Sequence, residues 1–99
     1  MKYDNISVKS VMLKYLNKKS SDYTYSTLTE KEFVFLNLVS THPSYRTDKI
    51  IGLWRNATRE NDFDNVINSL KAKGFLLEDI HLELYLLSSK GMLELKKIK

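Results

Sequence analysis

The fold of this chain is decided by two stretches of sequence, FDNVINSLKAKGFL at residues 63–76 and LELYLLSSKG at residues 82–91. The first stretch places apolar residues at positions i, i+3, i+4 and i+7, which is the spacing of one helix face. Gly74 follows Lys71 and Lys73, where a helix favours a left-handed residue at its end. In the second stretch, leucines alternate with Glu83 and Tyr85. The two stretches therefore predict a helix, a strand, a short turn and a second strand.

Length and composition limit the chain to one small domain. Its 99 residues can build one hydrophobic core but not two. The sequence has no apolar run of about eighteen residues, and its first residues lack the apolar region of a secretory signal, so we expect neither a membrane span nor a signal peptide. Cysteine is absent, which removes disulfides and thiolate chemistry and suits a reducing compartment. We therefore expect a cytoplasmic protein.

The net charge of +4 is modest, but it is unevenly distributed along the chain. Residues 1–28 carry five lysines against two aspartates, and residues 44–59 carry four basic side chains against one acidic one. Residues 60–81 reverse the balance, with five acids against two lysines. Basic segments on both sides of an acidic one suit a polyanionic partner.

Further helices are predicted on both sides of the deciding stretches. An amphipathic helix is expected at about residues 7–17. Thr29 and Glu32 form a capping box that opens a helix at residues 30–40, apolar nearly all round and therefore central and buried. The next helix is expected at residues 47–56, with a turn at 56–58, and its successor starts between Thr58 and Asn61. Ser88 or Ser89 caps a last helix, whose apolar residues are Met92, Leu93, Leu95 and Ile98.

Two short motifs connect this order of elements to a known family. LKAKGFL at residues 70–76 and YLLSSKG at residues 85–91 resemble the L-x-x-K-G-L-I and Y-x-L-T-x-K-G signature of MarR- and PadR-type winged-helix proteins. The resemblance covers roughly residues 29–98. It implies a single domain that is mostly α with a small β-hairpin (α+β), a winged helix-turn-helix with extra N-terminal and C-terminal helices. Residues 1–28 would form the N-terminal helix and an extended segment, residues 29–87 the winged-helix core and residues 88–99 the C-terminal helix.

The resemblance also implies where DNA would bind. The helix near residues 59–73 would enter a DNA groove, the helix before it would support it, and the hairpin, or wing, would touch the backbone or minor groove. The chain departs from the family in two places. Its wing tip, residues 79–81, has no Arg or Lys, and its recognition helix opens with carboxylates that repel phosphate: Glu60, Asp62 and Asp64.

The candidate DNA-binding residues surround the predicted helix-turn-helix corner. Arginines and lysines there suit phosphate contacts, and asparagine pairs with adenine through two hydrogen bonds. The alternative is an ordinary solvated helix face. The set is Tyr45, Arg46, Lys49, Arg55, Thr58, Arg59, Asn61, Asn65 and Asn68. Tyr23, Tyr25 and Tyr45 could stack on unpaired bases, or their rings could cover the edge of the core. Lys18, Lys19, Lys96 and Lys97 are expected as outer phosphate contacts.

Catalysis is not expected, because the sequence shows no nucleophile with a base, no phosphate-cradling loop and no metal-ligand spacing around His42 or His81. We therefore expect no catalytic residue, cofactor or metal. Two DNA-binding roles remain open: a small transcriptional regulator, or a single-stranded-DNA-binding accessory of replication or recombination. The alternative is a winged-helix protein-interaction module that docks through Glu60, Asp62 and Asp64 and does not bind DNA. The terminal helices offer a surface for a homodimer.

Overall fold

A computed structural model describes residues 27–98 of the protein, and this part is mostly helical with one small antiparallel hairpin. The α+β class expected from the sequence is therefore confirmed. The predicted helix at residues 7–17, the tyrosines at 23 and 25 and the lysines at 18 and 19 lie outside the described residues. The elements are, in order, α1 (Glu30–Thr41), α2 (Thr47–Thr58), α3 (Phe63–Ala72), β1 (Leu76–Asp79), β2 (Leu84–Leu87) and α4 (Ser89–Ile98).

Helix α1 is the centre of the fold, as its nearly continuous apolar sequence predicted. Its start is fixed by the capping box: the Glu32 backbone N–H donates to Thr29 Oγ1 at 3.2 Å, and the Thr29 N–H donates to Glu32 Oε1 at 2.9 Å. Every residue from position 32 to position 39 is buried. α2, α3, β2 and α4 all pack against this helix. Because α1 is covered on all sides, the other elements are positioned relative to it.

Helix α2 is anchored in the core by Trp54, which is fully buried. Its indole Nε1 donates to the carbonyl oxygen of Lys31 at 3.0 Å, and its ring lies 6.3 Å from that of Phe35. The predicted turn at residues 56–58 is wrong, because α2 continues to Thr58. The helix ends at Arg59, whose φ of 62° is left-handed and reverses the chain direction. α2 thus has a core side set by Trp54 and an outer side that carries its charges.

Helix α3 begins later than predicted, at Phe63 rather than between residues 58 and 61. Thr58 and Asn61, the two residues expected to cap this helix, make other contacts instead. The Thr58 hydroxyl donates to the Trp54 carbonyl oxygen at 2.8 Å and accepts from the Glu60 N–H at 3.2 Å, so it closes α2. The Asn61 side chain accepts from Arg55 Nε at 3.1 Å. The connection between α2 and α3 therefore consists of residues 59–62 and lies further along the chain than predicted.

The end of α3 follows the prediction at Gly74, whose φ is 79°. The N–H of Gly74 donates to the Lys71 carbonyl oxygen and the N–H of Phe75 to that of Leu70, both at 3.0 Å. This pair of bonds is a Schellman ending, which requires a left-handed residue at the Gly74 position. The chain leaves this turn directly into β1.

The hairpin pairs Leu77 with Leu86 and Glu78 with Tyr85. Asp79 belongs to β1 and residues 80–83 form the turn, so the wing tip predicted at 79–81 is displaced. Tyr85 is the buried residue of β2, and its ring meets Phe35 edge-on at 5.4 Å. The leucines that alternate with Tyr85 are largely exposed at positions 82 and 86. The inner face of the hairpin is therefore set by an aromatic contact with α1.

Helix α4 is joined tightly to the base of the hairpin. The Gly91 N–H donates to Ser88 Oγ at 2.9 Å, so Ser88 is the cap, one of the two candidates. Gly91 has no room for a side chain, because a Cβ there would overlap the carbonyl oxygen of Phe75. Of the predicted apolar residues, those at 95 and 98 are buried, whereas Met92 and Leu93 are exposed. Within residues 27–98, no helix is long and apolar enough to cross a membrane.

Candidate nucleic-acid interface

The structure divides the predicted basic patch between the two ends of α2. Arg46 and Lys49 lie at its start and Arg55 and Arg59 at its end, so about 20 Å of helix axis separates the extremes. All four side chains belong to exposed residues. The first pair adjoins the hairpin, since an isolated β-bridge joins Arg46 to Leu84. The second pair adjoins the start of α3.

The start of α2 is tied to the hairpin turn. The Thr47 N–H donates to the Glu83 carbonyl oxygen at 2.9 Å, and Arg46 Nη1 lies 3.8 Å from Glu83 Oε1. Both side chains of this ion pair are well exposed, 72% for the arginine and 62% for the glutamate. An exposed pair of this length holds its partners weakly. Arg46 therefore remains accessible to an anion from solution.

Tyr45 is engaged by its neighbours rather than open for base stacking. The His42 ring stacks on it with centroids 4.5 Å apart and planes within 8°. Lys49 Nζ lies 4.6 Å from the centroid of the same ring. The ring is half-buried and packs against the core. These contacts leave little of either face of the Tyr45 ring for a nucleobase. The geometry of Tyr45 therefore favours a ring that covers the edge of the core over one that stacks on a base.

The two arginines at the corner between α2 and α3 differ in their contacts. Arg55 is held by its bond to Asn61 and lies 5.8 Å from the Phe63 ring. Arg59 occupies the left-handed position at the very end of α2 and forms no ion pair with any residue of the described part. Thr58 points its hydroxyl back into α2. Arg59 is thus the most available cation of this corner.

The outer face of α3 carries the remaining predicted residues. Val66, Ile67 and Leu70 face the core. The opposite side of the helix therefore presents the exposed residues Asn65, Asn68 and Ala72, at the i, i+3 and i+7 spacing of one ridge. We call these three residues the α3 ridge. The structure therefore brings Asn65 and Asn68 together on one exposed line, whereas Asn61 lies in the preceding loop against Arg55.

The three carboxylates near the start of α3 do not form one surface. Lys31 on α1 binds two of them, with its Nζ 3.0 Å from Asp62 Oδ2 and 3.6 Å from Glu60 Oε1. The hydrogen bond to Asp62 raises the pKa of Lys31. Asp64 lies elsewhere, near Tyr85. Burial, together with the negative charges of Glu78 and Asp64, raises the pKa of Tyr85 to about 12. Glu60 and Asp62 are therefore directed toward α1 and away from the α3 ridge.

A buried ion pair that sequence reasoning missed fixes the other side of α3. The Glu32 side chain is only 4% exposed, and its Oε1 lies 2.8 Å from Lys73 Nζ. Ser69 Oγ also donates to this carboxylate. Burial raises the pKa of Glu32, but the hydrogen bonds from Lys73, Ser69 and the Thr29 N–H outweigh burial and hold that pKa below its usual range. The capping box in the sequence predicted the bond between Glu32 and Thr29, but it did not predict the ion pair between Glu32 and Lys73.

The residues just before α1 are held by charged side chains from α3 and α4. The Thr27 N–H donates to Glu94 Oε2 at 2.8 Å, and Lys73 Nζ donates to the Thr27 carbonyl oxygen at 2.9 Å. Glu94 is itself buried and lies 3.1 Å from Lys97 Nζ. Lys97, predicted as an outer phosphate contact, is therefore engaged within the protein. Lys96 is exposed in the last turn of α4.

The chain matches no protein-family model, no curated protein and no solved structure. Nor do residues 27–98 contain a group of three or more His, Asp or Glu side chains placed to hold a metal ion. The function proposed below therefore rests on the contacts and charges of the described residues.

Proposed function

We propose that this chain is a non-enzymatic winged-helix protein that binds duplex DNA through α2, the following turn and α3. The observation that carries this proposal is the combination at the α2–α3 corner. An amide-bearing ridge on α3 follows Arg59, which has no ion pair within residues 27–98, and the carboxylates of Glu60 and Asp62 are bound to Lys31. Duplex DNA is a dense line of negative charge, so a neutral or basic surface favours the approach of a helix to its groove.

The order of the elements supports the winged-helix part of the proposal. Three helices and a hairpin follow one another, as the resemblance to MarR- and PadR-type proteins implies, and a short bridged segment at Arg46 lies between the first two helices. The bridge to Leu84 gives the hairpin a third strand position beside β2. In this arrangement, α3 is the groove-facing helix, and the start of α2 lies beside the hairpin, where both can approach the DNA backbone.

The distribution of charge also supports the proposal once the ion pairs between side chains are taken into account. The acidic residues that oppose DNA in the linear sequence are partly neutralised, because Lys31 holds Glu60 and Asp62. Arg59 and Lys49 form no ion pair within residues 27–98, and Arg46 has only its weak pair with Glu83. These three cations can each meet a phosphate without first losing a strong partner.

Of the two DNA-binding roles, the duplex-binding regulator is the better supported. A single-strand track needs open aromatic rings on which bases stack. Tyr45, the one candidate ring within the described part, is covered by His42 and Lys49. A small transcriptional regulator is also the usual role of the winged-helix families that the sequence resembles. A role as a single-stranded-DNA-binding accessory is the second DNA-binding hypothesis.

A salt series with a charge-removing variant tests the proposal. Arg59→Asn removes the cation and keeps a residue type that tolerates a left-handed backbone. Lys90→Gln is the matched control, because Lys90 is exposed near Gly74, at the opposite end of α3. Fluorescence anisotropy with a random-sequence duplex should show an affinity that falls with salt, with a logarithmic slope of about 0.9 for each phosphate contacted.

Arg59→Asn should weaken duplex binding and lower that slope by about one phosphate contact, whereas Lys90→Gln should leave the slope unchanged. A labelled single strand of equal length, run in competition, distinguishes the two DNA-binding roles. Preference for the single strand would support the accessory role. If neither form of DNA binds at low salt, the DNA-binding proposal is wrong.

The second candidate function is protein docking, and the hairpin favours it. Leu77 and Leu86 are directly opposite each other in the strand register, and both are exposed. Ile80 and Leu82 at the turn are exposed to 77% and 62%. Solvent-facing apolar residues grouped in this way mark interaction surfaces. A chain that binds no DNA but loses a protein partner on Leu77→Ser would act through this surface.

Self-association through the terminal helices is a separate proposal. Met92 and Leu93 are exposed on the outer side of α4, and both are free to contact a second chain. Sedimentation of the wild type and of Leu93→Ser would test it. A dimer that dissociates on this substitution is the expected result, and a monomeric wild type would rule it out.

A further inference from the structure

The side chains of the α3 ridge are uncharged, although the helix as a whole is not. Asn65, Asn68 and Ala72 form the line most distant from the buried residues of α3. Asp64 and Lys71 lie on the flank toward the hairpin, and Ser69 and Lys73 on the flank toward α1. The surface that a groove would meet first therefore consists of two carboxamides and a methyl group.

The two lysines beside the ridge are held away from it, whereas Asp64 is exposed on the flank toward the hairpin. Lys71 Nζ lies 2.6 Å from Glu78 Oε1 on β1. Lys73 is bound to Glu32 beneath the other flank. These contacts direct the two long basic side chains toward β1 and α1 rather than across the ridge. The two carboxamides remain the longest side chains directed outward from α3.

The chemistry of these groups matches one type of base pair. In the major groove, adenine presents the N7 acceptor and an N6 donor, which a carboxamide pairs with through its own donor and acceptor. Thymine presents a methyl group, which alanine contacts. Guanine presents two acceptors, which arginine and lysine match. The α3 ridge has the partners for adenine and thymine and lacks those for guanine.

We infer that α3 reads A·T base pairs in the major groove, with Asn65 and Asn68 as the adenine-contacting residues and Ala72 beside thymine methyl groups. This inference rests on the proposed duplex-binding function. The two asparagines are about 4.5 Å apart along the helix axis, comparable with the rise of about 3.4 Å between base pairs. They therefore address neighbouring base pairs, and the preferred site contains consecutive A·T pairs.

Modified bases test the inference directly. The first comparison is a binding site rich in A·T against the same duplex with 7-deazaadenine, which keeps Watson–Crick pairing and lacks N7. The modified base keeps the N6 donor, so each adenine contact loses one of its two hydrogen bonds, which should weaken binding roughly 2- to 13-fold. Replacing thymine by deoxyuridine removes only the methyl group and should give a smaller loss, which disappears in Ala72→Gly.

The variant Asn68→Ala identifies the residue responsible. It should weaken binding to the adenine duplex and make the protein less sensitive to 7-deazaadenine, because the contact that senses N7 has gone. Asn56→Ala is the matched control, since Asn56 is an exposed asparagine on α2. The control should keep the full sensitivity of the wild type to the modified base.

The outcomes separate this inference from the proposed function. If the wild type binds no duplex at low salt, the proposed function fails and the base preference fails with it. If binding is salt-dependent and requires Arg59 but is equal for A·T and G·C duplexes, the function stands and the inference is wrong. A preference for A·T that 7-deazaadenine does not reduce would reflect DNA shape, and it would also overturn the inference.

Discussion

Replacing Lys73 by methionine isolates the buried ion pair that joins α1 to α3. The substitution keeps most of the aliphatic volume and removes the ammonium group 2.8 Å from Glu32 Oε1. Glu32 is left almost fully buried with its negative charge, since its side chain is 4% exposed. The same ammonium also donates to the Thr27 carbonyl oxygen, so the segment before α1 loses a contact as well.

The size of the loss follows from what remains around Glu32. Removing one member of a fully buried pair typically costs about 3–5 kcal/mol, because the other charge is left without a partner. Lys73 is 32% exposed, and the carboxylate keeps bonds from Ser69 and from the Thr29 N–H. Both facts reduce the penalty. We expect the free energy of unfolding to fall by about 2 kcal/mol.

Urea denaturation followed by circular dichroism measures this change. Lys71→Met is the matched control, because Lys71 makes a comparable contact with Glu78 on a more exposed part of the same helix, and it should cost less than about 1 kcal/mol. Adding Glu32→Gln to Lys73→Met should restore part of the loss, because no unpaired charge then remains. If Lys73→Met is as stable as the control, Glu32 does not depend on its ammonium partner and the reasoning is refuted.

Three further predictions concern pH and packing. Because the folded pKa of Glu32 is lowered, its stabilising contribution is fully present above its unfolded pKa and is lost as the pH falls through the folded value, so acid titration of stability should be flatter in Glu32→Gln. The folded pKa of Tyr85 is raised to about 12, so its contribution is present below its unfolded pKa of about 10 and is lost as the pH rises toward 12. Tyr85→Phe should therefore reduce the alkaline loss of stability in a pH series of urea melts. Gly91→Ala should lower the melting temperature by several degrees or prevent folding, because the new Cβ would overlap the Phe75 carbonyl oxygen. An unchanged melting curve would contradict this, since it would mean that the backbone around Phe75 shifts at little cost.

Local patterns in the sequence predicted those parts of the fold whose causes are local. The capping box at Thr29 involves residues three apart, and the left-handed Gly74 follows from the helix before it, so both could be predicted correctly. The start of α3 could not be predicted, because Thr58 suits the end of one helix as well as the start of the next. Only the left-handed turn at Arg59 decides between the two uses.

The candidate site was harder to predict, because its electrostatics depend on contacts between distant residues. Lys31 precedes its partners Glu60 and Asp62 by about one third of the chain, and no spacing rule connects them. In β2, apolar residues occupy both faces, so alternation alone could not show that Tyr85 faces the core. The contact of Tyr85 with Phe35 decides it. The structure divides the predicted basic residues between the two ends of α2, and which of their charges have partners depends on contacts that the sequence does not show.

The joint between β2 and α4 has a mechanical consequence. Ser88 donates through its N–H to the Phe75 carbonyl oxygen and through its hydroxyl to that of Gly74, and Gly91 packs directly against Phe75. These contacts connect the first turn of α4 to Gly74 and Phe75, the two residues that lead from the end of α3 into β1. We therefore expect a change in the tilt of α4 to move this connection, and with it the C-terminal end of α3.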